Sequence, residues 1–254
     1  DRAYTTFHMD GRTGRITSAG AGKDAADRNL QNIPKKAERG GAPTVRSAFM
    51  PDDGDSHLTR LDFSQLELRV LAHLAQDQRM LSIFADPDGD LHQDTATSMR
   101  ISRDFAKVFN FALIYGGDEY VIANNINSKD IPAVKRYTEQ WMRTYPQAAQ
   151  WITVQKLEGI RNGKVQSLGG RVMLIPFELG QAHAEHCSIN FPIQCTAGEI
   201  FKTAMRQLAG LQASERLQVH DELLWTGKQQ MPTGLDSVSA VHTPVQIEYL
   251  TRWG

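Results

Sequence analysis

One stretch of this sequence restricts the possible fold more than any other, because it places four large side chains at helical spacing. The segment 102–117, SRDFAKVFNFALIYGG, has Arg103, Lys107, Phe111 and Tyr115 four residues apart. In an α-helix, residues separated by four positions lie on the same face. The segment therefore predicts a helix that presents two cations and two aromatic rings on one side.

The remaining positions of this segment agree with a helix. Ser102 is a suitable N-cap residue, and Gly116 and Gly117 are a suitable stop. Four apolar residues off the common face are expected to pack the helix against the protein: Phe105, Val108, Phe109 and Ala112.

The common face suits an anionic ligand. Arg103 and Lys107 occupy the first turns, where the helix dipole already favours negative charge. From Arg103 to Phe111 the helix rises about 12 Å, at ~1.5 Å per residue, which matches the span from a triphosphate tail to a sugar and base. The same spacing also fits an ordinary amphipathic helix with a solvated basic edge, so the segment alone leaves both interpretations open.

Length and composition predict a soluble globular protein. The 254 residues are 41% hydrophobic, enough for one large domain or two closely packed ones. No run approaches the ~20 apolar residues of a membrane span, and no charged-then-apolar leader opens the chain. Cys187 and Cys195 are eight residues apart in a predicted helix, about 12 Å, so we expect reduced thiols and a cytoplasmic setting.

The charge is unevenly distributed along the chain. The net charge of −1 argues against a simple nucleic-acid coat protein. Residues 1–50 and 100–171 are basic, whereas residues 51–99 and 172–254 are acidic. This alternation is expected if cationic surfaces hold a polyanion and clustered carboxylates hold cations. Random variation on solvated faces is the alternative explanation.

Basic residues are interspersed in the first 40 residues, where loop-forming residues dominate. Arg12, Arg15, Arg28, Lys35 and Lys36 could follow a phosphate backbone or could simply be exposed.

Periodicity and turn residues predict the other elements along the chain. The first part of the chain is predicted to contain a strand pair over 4–18, a loop over 18–44, a short strand within 44–51 and a strand over 58–61. Helices follow: one carrying Leu66, Val70 and Leu74, a short one within 86–100, and several over 118–160 with breaks near SKDIP and Tyr145. The last part is predicted to contain a hairpin over 163–176, a long helix over 184–211 interrupted near Pro192, a hairpin at LQVHDELLW and a final strand.

Acidic residues end two of these predicted strands. The strand over 58–61 delivers Asp62 at its end, a rigid position that suits metal binding, although Asp62 would also serve as a helix N-cap. The hairpin LQVHDELLW is predicted to raise His220, Asp221 and Glu222 to its tip. A purely structural hairpin more often has Asn-Gly or Asp-Gly at that place.

Three segments in order resemble motifs A, B and C of the family A DNA polymerases, the bacterial DNA polymerase I group. They are DFSQLE at 62–67, R-x3-K-x3-F-x3-YG at 103–116 and VHDE at 219–222. Supporting matches are TGR at 13–15, NLQNIP at 29–34, DLH at 90–92, TA at 95–96, GGR at 169–171 and IN-x-PIQ-x-TA at 189–197. The resemblance covers nearly the whole chain from Tyr4 onward.

The resemblance implies an α+β fold, with an antiparallel palm sheet and packed helices beside a mainly helical fingers subdomain. It assigns residues 1–65 and 184–254 to the palm and residues 66–183 to the fingers. The family's thumb and exonuclease-like domains are expected upstream, in a longer parent chain.

The resemblance also implies the activity, which is template-directed addition of deoxynucleotides to a primer 3′-hydroxyl by two-metal phosphoryl transfer. Asp62, Asp221 and the Phe63 carbonyl would hold two Mg²⁺ ions, with Glu222 in an ancillary catalytic role. Regular strand geometry would point Glu222 away from Asp221. Lys107 would protonate the leaving pyrophosphate.

Motif matches imply roles in binding nucleotide and DNA. For the nucleotide, they point to Arg103, Lys107 and His92 at the triphosphate, Phe111 at the sugar, Tyr115 near the nascent pair, Glu67 as the steric gate against a ribose 2′-OH, and Gln65 as a further contact. For the DNA, they point to Arg15 and Gln194 in the minor groove, and to Asn190 and His220. The implied partners are primer-template DNA and deoxynucleoside triphosphates, with a monomeric protein and no membrane.

The sequence departs from the family pattern at three positions. Cys195 stands where the family usually has Gly, His186 where it usually has Arg, and Asp104 where a second basic residue is common. These differences keep open a non-catalytic module that binds DNA or nucleotide.

A phage-type single-subunit RNA polymerase shares part of the pattern but is disfavoured by SQLE after Asp62 and by Phe111. Bacterial, phage and organellar sources all remain open.

Overall fold

The computed structural model describes residues 5–9, 11–19, 29–34, 44–86 and 88–253. Of the basic residues proposed for a phosphate backbone, Arg28, Lys35 and Lys36 lie outside these ranges. The described chain contains helices and antiparallel strands, which confirms the mixed α+β class.

The strands in chain order are β1 (Thr6–His8), β2 (Thr17–Ala19), β3 (Leu58–Phe63), β4 (Lys164–Gln166), β5 (Val172–Leu174), β6 (Glu215–Val219), β7 (Glu222–Thr226) and β8 (Val245–Leu250). The α-helices are α1 (Leu66–Ala75), α2 (Gln78–Ala85), α3 (Leu91–Met99), α4 (Arg103–Ile114), α5 (Glu119–Asn125), α6 (Ile131–Thr144), α7 (Pro146–Asn162) and α8 (Gln181–Gln207). Among the described residues, every helix is too short or too polar to cross a bilayer.

The chain divides into two compact units. The first unit comprises Asp1–Leu66 and Gly198–Gly254, and the second comprises Glu67–Ala197, so α8 contributes residues to both.

The first unit is built on a four-stranded antiparallel sheet with the order β6-β7-β3-β8. Strand β3 is central because it pairs with β7 on one edge and with β8 on the other. Its Leu58, Leu61 and Phe63 are buried. A sequence-distant strand on each side therefore fixes the position of β3, and of Asp62 near its end.

The second unit is mainly helical, with the small hairpin β4–β5. Its core includes Trp141 and Tyr145, both fully buried. Helix α4 begins after Ser102, whose Oγ accepts a hydrogen bond from the Phe105 amide at 3.2 Å. It ends before Gly116, which has φ +75°, so the predicted boundaries are confirmed.

Two predictions about local structure are wrong. The stretch 44–51 contains a 3-10 helix at Val45–Ala48 rather than a strand. The Ser47 amide and hydroxyl both donate to the Thr44 carbonyl, at 3.0 and 2.7 Å, and such local bonds favour a turn. Helix α8 runs through Pro192 without interruption. Its residues 188–193 are buried, so packing offsets the hydrogen bond that proline removes.

Two further predictions about side chains are also wrong. Val108 does not pack the helix down but is 40% exposed, because α4 buries the side that carries Ala106, Phe109 and Leu113. Asp62 is not an N-cap, because it lies within β3 and α1 begins only at Leu66. Of the two interpretations of Asp62 from sequence, metal ligand or N-cap, only the metal ligand therefore remains.

Candidate active site

The turn of hairpin β6–β7 lies beside the end of β3, in the first unit. The Phe63 amide donates a hydrogen bond to the Asp221 carbonyl at 3.2 Å, and Asp62 is the register partner of Glu222. Asp62 and Phe63 at the end of β3 thus lie at backbone positions adjacent to Asp221 in the β6–β7 turn, although Asp62 and Asp221 are far apart in sequence. We call these three residues the carboxylate edge.

The donor atoms of the carboxylate edge suit a hard cation. Two carboxylates and a backbone carbonyl are oxygen ligands, which Mg²⁺ prefers over nitrogen or sulfur. Arg60 Nη2 contacts Asp62 Oδ2 at 2.8 Å. Arg60 also contacts Glu248 at 3.0 Å and Glu222 at 3.5 Å, so Asp62 is one of three carboxylates around this guanidinium.

Glu222 is not at the hairpin tip, which corrects the sequence prediction. It is the first residue of β7 and is only 1% exposed. Trp253 Nε1 donates to its Oε1 at 2.5 Å, and Arg46 Nη1 and Arg60 Nε lie 3.8 and 3.5 Å from its Oε2. The antiparallel ladder continues to Glu222, so only His220 and Asp221 form the turn.

Two buried glutamines support that turn, and the sequence analysis assigned neither a role. Gln31 Nε2 donates to Gln218 Oε1 at 2.7 Å, and Gln218 Nε2 donates to the His220 carbonyl at 2.6 Å. His220 adopts φ +56°, which costs a non-glycine residue conformational energy, so these bonds help to hold it. Gln31 lies in NLQNIP, which the sequence analysis matched only as a supporting motif.

The same glutamine connects the turn to the segment that carries Arg15. The Gln31 Oε1 accepts from the Ser18 amide at 2.8 Å, and its Nε2 lies 3.3 Å from the Ile16 carbonyl. Gly198 packs closely there, because a Cβ at this position would lie 3.3 Å from the Gly14 carbonyl oxygen. Arg15 is half-buried and His220 is exposed. One hydrogen-bond network connects the carbonyl of Ile16, the residue after Arg15, to the His220 carbonyl.

In the second unit, α4 presents the predicted face. Arg103 and Lys107 are exposed, and Phe111 and Tyr115 are half-buried with their rings stacked at a centroid distance of 5.8 Å. Asp90 both caps α3 and accepts a hydrogen bond from Arg103 Nε at 2.6 Å. These four side chains follow one another at four-residue spacing along α4 and its C-cap, and we call them the α4 face.

His92 lies beside the α4 face as a buried neutral imidazole. Its ring is 5.5 Å from that of Phe111, and burial lowers the pKa of His92 to about 4. Trp141 Nε1 donates to Asn110 Oδ1 at 2.9 Å, so the Asn110 amide nitrogen faces His92 Nδ1 at 3.1 Å. Nδ1 is therefore the acceptor, and the proton resides on Nε2.

The lowered pKa predicts a loss of stability in acid. Unfolded His92 binds a proton near pH 6.5, whereas folded His92 does so only near pH 4. Its contribution to the free energy of unfolding is complete above pH 6.5 and falls by about 1.4 kcal/mol per pH unit towards pH 4. We expect the stability advantage of the wild type over His92→Gln to shrink by about 2 kcal/mol between pH 7.5 and 5.0, measured by urea unfolding.

A matched control for this prediction is His242→Gln, because His242 is exposed. Its unfolding free energy should follow the wild type at both pH values. A constant difference between the wild type and His92→Gln would contradict a buried neutral His92.

Glu67 and Tyr115 form a polar pair at the end of the α4 face. Glu67 lies in the first turn of α1 and is 7% exposed, and the Tyr115 hydroxyl donates a hydrogen bond to its Oε2. Both residues belong to the second unit. This hydrogen bond thus connects Glu67, the predicted steric gate at the sugar, with Tyr115, which is predicted to lie near the nascent pair.

Three other predicted residues occupy ordered positions. Gln65 lies in the β3–α1 turn with φ +52°, and Asn190 and Gln194 lie one turn apart on α8. Asn190 is buried and Gln194 is half-buried. Their positions allow the predicted roles, which remain predictions.

Comparison with known proteins identifies the family. The family model described as DNA polymerase family A matches residues 1–239 of the chain. This chain belongs to DNA polymerase family A.

Curated relatives of this family A chain are bacterial polymerases. It is 34% identical over 242 residues to the thermostable DNA polymerase I of Thermus thermophilus, covering 88% of this chain and 28% of that protein. It is 32% identical over 278 residues to DNA polymerase I of Bacillus caldotenax, covering 98% of this chain and 30% of that protein. The family A chain therefore spans less than a third of the length of these relatives.

A solved structure of the same family has a similar fold. It is the POL domain of Pol1 from M. smegmatis, in complex with a DNA primer-template and dNTP. The TM-score is 0.80 at 25% sequence identity, over 98% of this chain and 47% of that one.

Proposed function

We propose that this chain catalyses template-directed DNA synthesis, in which a primer 3′-hydroxyl attacks a deoxynucleoside triphosphate and pyrophosphate leaves. The observation that carries the proposal is the backbone hydrogen bond from Phe63 to Asp221, which brings motifs A and C together on neighbouring strands. Phosphoryl transfer requires positioning and charge neutralisation more than covalent help from the protein, and this is what clustered carboxylates and cations provide.

The carboxylate edge is the proposed site for two Mg²⁺ ions. Asp62, Asp221 and the Phe63 carbonyl would hold them, and the oxygen-only donor set supports this choice of metal. When bound, such a pair of ions neutralises charge on the attacking and leaving oxygens. Arg60 Nη2 lies 2.8 Å from Asp62 Oδ2, so a metal ion bound by Asp62 would compete with this ion pair for that oxygen.

The α4 face is the proposed triphosphate and sugar site. Arg103 offers a planar fork and Lys107 a point charge to the phosphate oxygens. Neutral His92 would contribute an Nε2–H donor rather than a charge, which follows from its hydrogen bond with Asn110. Lys107 is also the proposed acid for pyrophosphate, and Phe111 would lie against the deoxyribose.

The DNA contacts are proposed for residues in several segments. Arg15 and Gln194 would probe the minor groove, where purine N3 and pyrimidine O2 recur in every correct pair. Asn190, Gln65 and His220 would make further contacts to the nucleotide, template or primer end. We propose that residues 1–65 and 184–254 form the palm and residues 66–183 the fingers. The division of the chain into two compact units, at 66/67 and at 197/198, supports this assignment.

A second candidate is a module that binds primer-template or nucleotide without turnover. The Arg60–Asp62 ion pair at 2.8 Å favours it, because this contact competes with metal for one carboxylate oxygen. The chain also represents a minor part of each curated relative, so activity of the chain by itself is a separate question.

Primer extension by the chain as given tests the proposal. A labelled primer-template is incubated with the four dNTPs and Mg²⁺, and with EDTA as the control, while fluorescence anisotropy measures DNA binding. Templated, Mg²⁺-dependent extension is the expected result. Binding without extension would favour the second candidate, and neither binding nor extension would contradict both.

The Glu67–Tyr115 pair predicts how the chain selects its sugar. A carboxylate held rigidly beside the sugar site excludes a 2′-hydroxyl, and Tyr115 fixes that carboxylate. We expect Glu67→Ala to raise the ratio of ribonucleotide to deoxyribonucleotide incorporation by about tenfold or more, measured as kcat/KM in single-nucleotide extension. Glu119→Ala is the control, since Glu119 lies in the first turn of another helix of the same unit. An unchanged ratio in Glu67→Ala would remove the proposed gate.

A further inference from the structure

A cluster of three metal-ligating side chains lies on α8, apart from the carboxylate edge and the α4 face. His186 and Cys187 follow His183 by three and four residues, so all three lie on one face of the helix. One ligand atom from each lies within 4.8 Å of the other two. Among the described residues, no other group of three or more such side chains has this proximity.

We propose that His183, His186 and Cys187 form a binding site for a thiophilic transition metal of the Zn²⁺ class. Zn²⁺ is bound by thiolate and imidazole at about 2.0–2.3 Å, which places tetrahedral ligand atoms about 3.5 Å apart. Cys187 Sγ and His183 Nε2 are already 3.4 Å apart. The ligand atom of His186 lies within 4.8 Å of the other two, so coordination would bring the His186 side chain closer to them.

The backbone at His186 is closely packed. Its Cα would lie 3.1 Å from a Cβ built on Gly116, which shows how closely α8 packs there against the segment after α4. The His183 and His186 rings are 6.0 Å apart and nearly perpendicular. A close-packed backbone reduces the conformational entropy that ligand ordering would cost, and this favours a functional site over chance proximity.

The donor set and its surroundings determine the class of site. A thiolate with two imidazoles selects Zn²⁺ or a similar metal over Mg²⁺. Glu185 lies between the ligands in sequence but bonds Gln181 at 2.9 Å and pairs with Lys156 at 3.8 Å. Among the described residues, the group contains no fourth His, Cys, Asp or Glu, so we assign the fourth coordination position to water or an external ligand.

This site belongs to the second unit and does not depend on the proposed polymerase function. His186 is one of the positions at which the chain departs from the family pattern, where an arginine could not act as a ligand. The inferred site is therefore a property of this chain, and metal binding can be measured without any catalytic assay.

Cobalt and zinc titrations of the purified, metal-free chain test the proposal. Co²⁺ reports thiolate coordination through a charge-transfer absorption band, and competition with a chromophoric chelator measures Zn²⁺ affinity. We expect one ion per chain with a thiolate–Co²⁺ band. Cys187→Ser should abolish the band and weaken Zn²⁺ binding by at least about tenfold, and His183→Gln should weaken binding similarly.

Cys195→Ser and His242→Gln are the matched controls. Cys195 lies two turns further along α8 and is buried, and His242 is exposed and belongs to the first unit. Both should keep the affinity and the band, and circular dichroism checks that each variant is folded. Absence of the band in the wild type, or equal Zn²⁺ affinity in the wild type, Cys187→Ser and His183→Gln, would overturn the proposal and leave the Sγ–Nε2 contact as a simple hydrogen bond.

Discussion

Asp62→Asn and Asp221→Asn should each reduce primer extension by at least about a hundredfold. Each substitution keeps the shape of the side chain but removes the negative charge that would attract Mg²⁺. Asp62 in β3 and Asp221 in the neighbouring β6–β7 turn lie at adjacent backbone positions, as the Phe63–Asp221 backbone hydrogen bond shows. Loss of either carboxylate should therefore weaken the same site, and the measurement is the single-nucleotide incorporation rate at saturating dNTP.

Two controls separate this loss from misfolding and from weak DNA binding. Asp53→Asn changes an exposed aspartate in the turn before β3 and should extend primers at the wild-type rate. The unfolding midpoint and the primer-template affinity of the Asp62 and Asp221 variants should remain close to wild type. Extension retained in either variant would refute the two-carboxylate proposal.

Glu222→Ala is expected to lower the free energy of unfolding by about 3–5 kcal/mol, because it leaves the buried cation Arg46 without its carboxylate. Arg46 stacks 4.2 Å over the Trp253 ring, and Trp253 also donates to Glu222, so one substitution disturbs a whole buried network. Calorimetric or urea unfolding, at a pH where carboxylates are ionised, measures the change. A loss of unfolding free energy of this size would show that Glu222 stabilises the packing of the sheet.

Glu248→Ala is the matched control for Glu222. Glu248 also pairs with Arg60, at 3.0 Å, but its side chain is 45% exposed. Solvent screening limits such a pair to about 1 kcal/mol or less.

The double variant Arg46→Met with Glu222→Leu should recover much of the stability lost in Glu222→Ala, since a paired replacement leaves no unpaired buried charge. If Glu222→Ala lost extension but not stability, the ancillary catalytic role implied by the resemblance would be favoured instead.

The sequence alone was sufficient for the elements whose signals are local. Helix α4 begins and ends where Ser102 and Gly116 predict, and its Arg103-to-Tyr115 spacing produced the expected face. Capping and i, i+4 spacing depend on neighbouring residues, so they can be recognised without tertiary information. The order of the three motifs was likewise enough to predict the family, which the family model then confirmed.

Only the tertiary structure determined features that depend on distant partners. The sequence predicted Glu222 at the polar tip of the β6–β7 hairpin, but pairing with β3 and the hydrogen bond from Trp253 place it in the interior. The protonated nitrogen of His92 is determined by Asn110 and Trp141, which are distant in sequence, and the turn at His220 is held by Gln31 from the other end of the chain. Burial and long-range hydrogen bonds arise from packing between remote segments, and sequence periodicity carries no information about which segments meet.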